Sequence, residues 1–90
     1  MIVRGCMQVT LKLYASLADR LPPEARRTHR LLLDLPVGTT IAEVIDQQSL
    51  PLKLCHLVLV NGFFIPSTER ATRALQQDDE LAIWPPIAGG

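Results

Sequence analysis

Aromatic side chains are scarce in this chain: two Phe, one Tyr and one Trp among 90 residues. So few rings exclude a base-stacking platform, and nine basic against nine acidic residues leave no net charge with which to neutralise a phosphate backbone. Nucleic acid is therefore not an expected partner. Cysteine and histidine are as sparse. Cys6 and Cys55 lie far apart with no C-x-x-C spacing, which excludes a disulfide framework, and His29 and His56 are isolated, so no metal site is expected. Cys55 adjoins His56, but neighbours in an extended segment point to opposite faces and make no nucleophile and base pair. Long hydrophobic runs are missing too: Leu31–Leu33 and Leu57–Val60 are too short to cross a bilayer, and Met1–Cys6 lacks the apolar core of a signal peptide. The expectation is a cytoplasmic protein with no membrane partner.

What remains is patterning. Ninety residues fit one domain, able to bury between about 60% and 70% of the surface of its unfolded chain. Met7, Val9, Leu11 and Leu13 alternate with Gln8, Thr10, Lys12 and Tyr14, the period of a strand covered on one side. Residues 1–6 before it are read as a loose extension. Ala15–Leu21 has the makings of a short helix ended by Pro22-Pro23, and a polar loop with Arg26 and Arg27 follows. Leu31, Leu33 and Leu35 mark one face of a second strand, opposite Arg30, Leu32 and Asp34, with a turn at Pro36-Val37-Gly38. Thr40 and Glu43 have capping-box spacing at the start of a helix whose inner side carries Ile41, Val44, Ile45 and Gln48, closed by Pro51. Leu57–Val60 is apolar throughout, as in a strand covered or nearly covered on both faces, and the turn pair Asn61-Gly62 leads to a short strand at Phe63-Phe64-Ile65. A polar stretch over 66–77 precedes Asp78-Asp79-Glu80 and a final strand, Leu81–Trp84, stopped by Pro85-Pro86.

This order gives an α+β layer: a mixed four- to five-stranded sheet covered by one main helix. A right-handed crossover through that helix sets the first and last strands adjacent and parallel at the centre, the ubiquitin-like β-grasp arrangement. The whole chain, 1–90, is one such domain, with 85–90 as a flexible C-terminal tail. Phe63, Phe64 and Trp84 are interface candidates, although one aromatic of an extended pair normally faces the core. Asp78-Asp79-Glu80 reads as a solvated turn rather than an acid/base or metal cluster.

The ending is the most informative feature. Pro85 and Pro86 fix φ, Ile87 and Ala88 follow, and Gly89-Gly90 closes the chain with residues that lack Cβ and so enter narrow channels in any conformation. Together with Leu13-Tyr14-Ala15-Ser16-Leu17, the 36–44 segment PVGTTIAEV, Val58–Gly62 and Asp79–Gly90, this ending resembles the MoaD/ThiS family of prokaryotic ubiquitin-like sulfur carriers. The double proline resembles the branch of molybdopterin synthase small subunits. Asp78 stands where the family usually has glycine, Phe63-Phe64 replaces a commonly polar pair, and the 65–75 segment is long for the family.

The resemblance implies a protein cosubstrate rather than an enzyme, with catalytic groups on a large partner subunit. Gly90 would be adenylated by an ATP-using, ubiquitin-activating-type enzyme and converted, with sulfur from a persulfide donor, to a thiocarboxylate. Gly89, Ala88, Ile87, Pro86, Pro85, Phe63 and Phe64 would bind partners, and no cofactor would be bound. The acceptor would be the molybdopterin synthase large subunit in molybdenum cofactor biosynthesis, or another sulfur-accepting enzyme, for thiamine thiazole, cysteine or siderophore-type products. Two alternatives stay open: a β-grasp interaction module with an inert tail, and a modifier attached to lysines through the same activated terminus.

Overall fold

Strict apolar alternation makes Cys6–Leu13 the first strand, β1, in a computed structural model that describes residues 5–86. Cys6, expected in the loose extension, already pairs with Pro36, and the Gly5 carbonyl accepts from Val37 N–H at 3.0 Å. The short helix expected over Ala15–Leu21 follows as a 3-10 helix, Ala15–Arg20. Its first residue, Ala15, has φ 52°, a left-handed backbone that marks a sharp break from β1. The loop expected around Arg26 instead holds a single helical turn, α1 (Pro23–Arg26), started by a proline with no N–H to lose and fastened by Arg26, which donates to the carbonyls of Leu21 and Asp19.

Strand β2 (Arg30–Pro36) runs antiparallel to β1. Helix α2 (Ile41–Gln47) begins at the expected capping box: Thr40 Oγ1 accepts from Glu43 N–H at 3.2 Å, and Glu43 Oε1 accepts from Thr40 N–H at 2.9 Å. A box of this kind stabilises by about 1 kcal/mol. Seven residues are too few for a helix to stand alone, so α2 depends on burying Ile41, Val44 and Ile45. The long 65–75 segment explains itself here. Carbonyls of Arg70 and Arg73 accept from the first-turn amides of Ala42 and Ile41, and Leu75 drops into the core. Arg70 also clasps the segment that leads into the next strand, donating to the carbonyls of Cys55 and His56.

Strand β3 (Leu57–Val60) turns through Asn61 (φ 51°) and Gly62 (φ 85°) into β4 (Phe63–Phe64), and β5 (Glu80–Trp84) completes a five-stranded sheet in the order β2-β1-β5-β3-β4. β5 is parallel to β1 and antiparallel to β3, so the expected central parallel pair is present. Asp78 has φ 68°, which aspartate tolerates better than most residues.

One sheet face carries the core: Met7, Val9, Leu11 and Leu13 of β1 and Leu81 and Ile83 of β5, covered by α2 with Leu17, Leu21, Leu50 and Leu75. The other face has no covering element among the described residues. β3 therefore departs from expectation. Val58 and Val60 are buried, but Leu57 and Leu59 sit half-buried on the open face, so the apolar run reflects a sheet face left unlayered rather than a doubly covered strand.

Candidate functional site

Chain direction places the tail. Because β5 lies in the middle of the sheet and ends at Trp84, Pro85 and Pro86 leave from the best-supported strand rather than from a loop. The Trp84 carbonyl accepts from His56 N–H at 3.0 Å on the β3 side, and the Ile83 carbonyl accepts from Tyr14 N–H at 3.2 Å on the β1 side. The last two strand residues are thus held one from each flank. Pro85 is half-buried and Pro86 exposed. Ile87, Ala88, Gly89 and Gly90 lie outside the described residues.

Three rings buttress this shoulder. Trp84 stacks on Tyr14 with centroids 4.3 Å apart and planes within 4°, and Tyr14 stacks on His29 at 5.3 Å and 15°. His29 is isolated in sequence but not in space. Its φ of 61° turns the chain into β2, and its Nδ1 lies 3.1 Å from the Leu13 carbonyl. Alternation foretold that Lys12 and Tyr14 share the polar face of β1, yet no sequence signal brings position 29 against position 14.

The open face continues from the stack. Lys12 forms an ion pair with Glu80 across β1 and β5, and this hydrogen bond holds the Glu80 carboxyl below the usual carboxylate range. Lys12, Tyr14, Leu59, Glu80, Ala82 and Trp84 surround a shallow depression of about 410 Å³. Asn61 and Gly62 complete its lining, which mixes apolar side chains with one charge of each sign, a composition suited to another protein's surface.

Phe63 and Phe64 depart from the expectation that one ring would be buried: they are 73% and 59% exposed. Pairing explains the difference. Phe64 lies opposite Leu59 on the open face, whereas Phe63 lies opposite Val60 at the sheet edge, where Ile65 takes the core position instead. The structure therefore brings Phe64 to the face that carries Trp84 and puts Phe63 on the other side, beside Arg73 and Ala74.

Asp79 accepts from Asn61 Nδ2 at 2.9 Å and from Gln76 N–H at 2.8 Å, tying the β3–β4 turn to the start of β5. Cys55 is buried and its thiol pushed up by that burial, partly offset by Arg70, while His56 is exposed. Among the described residues no three His, Cys, Asp or Glu side chains gather as metal ligands, and no helix is long and apolar enough to cross a membrane.

Fold and exit together define a ubiquitin-like β-grasp protein whose chain leaves the central strand through half-buried Pro85 and exposed Pro86. Residues 15–90 match the ThiS family, and the chain belongs to it. Solved structures agree on the fold. The HVO 2177 protein of Haloferax volcanii superposes with a TM-score of 0.72 at 20% identity, covering 100% of this chain and 92% of its own. SAMP1 of the same organism gives 0.64 at 24% identity, covering 92% and 99%. Small archaeal modifier protein 1 (SAMP1) of Methanosarcina acetivorans gives 0.62 at 23%, covering 96% and 99%. No curated protein matches the chain in sequence.

Proposed function

We propose that this protein is a sulfur carrier whose Gly90 carboxylate is activated and converted to a thiocarboxylate. The observation that carries the proposal is the ThiS-family match over residues 15–90, which includes Pro85-Pro86 and Gly89-Gly90. The central position of β5 and the stacked shoulder support it, because a tail rooted in a rigid strand loses less entropy when a partner captures it.

A terminal carboxylate, with a pKa near about 3.5, is ionised at neutral pH and is a poor acyl donor. Attack of its oxygen on the α-phosphate of ATP, catalysed by a ubiquitin-activating-type enzyme, expels pyrophosphate and leaves an acyl adenylate. A persulfide sulfur then attacks the acyl carbon and AMP departs. A second thiol cleaves the resulting acyl disulfide, becoming oxidised to a disulfide as the thiocarboxylate is released. This chain supplies the acyl group and the docking surface, and the partner enzymes supply the acids and bases. Within the family, the double proline favours the molybdopterin synthase small-subunit role, with the large subunit as sulfur acceptor.

Incubation with ATP, a family activating enzyme and a sulfur source tests the carrier reading by intact mass. The expected gain is the difference between one sulfur and one oxygen, lost on deletion of Gly90. No gain with a partner that thiocarboxylates its own carrier would overturn it. A modifier role is the second reading, favoured by two fold neighbours described as SAMP1, one of them in full as a small archaeal modifier protein. An isopeptide between Gly90 and a lysine of another protein, recovered by peptide mass mapping, would establish it.

A further inference from the structure

We propose that the free edge of β2 is a self-complementary surface that pairs with β2 of a second copy, antiparallel and two-fold about Leu32. Among the described residues β2 is the outermost strand on its side of the sheet, and its inner edge is used by β1. The phase of that pairing follows from its ends. Leu13 N–H donates to the His29 carbonyl and Val37 N–H to the Gly5 carbonyl, so in the alternating antiparallel pattern the odd-numbered residues of β2 turn their amide groups toward β1. Arg30, Leu32 and Asp34 therefore turn theirs outward. The edge is bracketed by His29 with positive φ at one end and by Pro36 at the other, which has no N–H and whose carbonyl is engaged by Thr39.

Two-fold pairing about Leu32 sets Leu32 opposite Leu32 and Arg30 opposite Asp34 twice, all in the hydrogen-bonding phase, so every outward amide group finds a partner. Opposite charges meet on the open face, where neither Arg30 nor Asp34 has an ion-pair partner among the described residues. Leu32, 62% exposed, is covered by its own copy, and half-buried Leu31 meets Leu33 on the core side. Sliding the register by two residues loses a bonded pair and separates the charges, setting Asp34 opposite Leu32 and Arg30 opposite Pro36 in one direction, and Arg30 opposite Leu32 and Asp34 opposite Thr28 in the other. Sliding it by one opposes an outward residue to an inward one and forms no bonds. Edges that avoid self-pairing commonly carry like charge. This one carries charges of opposite sign, symmetric about a leucine. The two Pro85-Pro86 exits leave from opposite ends of the joined sheet, since β5 runs parallel to β1 and antiparallel to β2, and both stay accessible.

Sedimentation of the full chain over a concentration series reads the association directly. The expected result is a concentration-dependent dimer. Arg30→Asp or Asp34→Arg alone should weaken it about ten-fold or more, and the double reversal should restore it to within about three-fold. Leu32→Pro, which removes an outward N–H that β1 does not use, should give a monomer with an unchanged circular dichroism spectrum. A chain that stays monomeric up to about 1 mM overturns the proposal, as does a dimer that survives Leu32→Pro or is not rescued by the double reversal.

Discussion

The Tyr14–Trp84 stack makes a quantitative prediction. Rings 4.3 Å apart and parallel within 4° are in contact over their faces, and such pairs contribute about 0.5–1.5 kcal/mol beyond the area they bury. Both residues are half-buried on an uncovered sheet face, so water reaches the rims of both rings and the middle of that range applies. Tyr14→Leu, Trp84→Leu and the double variant keep an apolar side chain at each position while removing the stack. The coupling energy from urea unfolding should be about 1 kcal/mol, which at a slope of about 1–2 kcal/mol/M is a non-additive midpoint shift of about 0.5–1 M. Amide exchange gives a second readout: His56 N–H, which donates to the Trp84 carbonyl, should exchange faster in either single variant. A coupling within about 0.3 kcal/mol of zero would refute the idea that the stack fixes the shoulder, because independent sites add to within that margin.

Other perturbations have equally definite outcomes. Ala15→Gly relieves an alanine held at φ 52° on the surface and should stabilise by about 1 kcal/mol, raising Tm by about 4–8 °C in calorimetry. Alkylation of the native protein should label exposed Cys6 at once and spare Cys55, which is buried, donates its thiol to the Pro51 carbonyl and has a raised pKa; equal rates would contradict that packing. Glu80 has a folded pKa lowered by Lys12 from an ordinary value of 4.5, so its contribution is present above that value and lost as pH falls through the lowered one. Glu80→Gln should therefore cost less than about 1 kcal/mol at neutral pH, the carboxylate being partly solvated, and match the parent in strongly acidic urea titrations.

Much of the architecture is local and so was legible in residue order. β1 and β2 show period-two alternation, Thr40 and Glu43 cap α2, and Asn61-Gly62 closes the β3–β4 hairpin. These features depend on neighbours a few residues apart, which a sequence displays directly. Two misreadings share one physical cause. The Leu57–Val60 run was expected to be covered or nearly covered on both faces and one ring of Phe63-Phe64 to face the core, because apolar character was equated with burial. How many layers a sheet receives is settled by how many elements are available to cover it, and among the described residues the single main helix and the turns pack on one face only. The left-handed turn at Ala15 likewise lies beyond local propensity, since strain at one residue persists only when surrounding packing fixes it.

The sequence alone determined the β-grasp order and marked the closing Pro85-Pro86 and Gly89-Gly90. Tertiary structure decided what stands beside that ending. His29, Tyr14 and Trp84 come from three separate stretches of chain, and only the parallel pairing of β1 with β5 and the antiparallel pairing of β1 with β2 stack them at one end of the sheet. The same pairing phase decided which amides of β2 are left for a neighbour. Strand register is a long-range choice set by matching whole apolar faces, and no window of residues contains it.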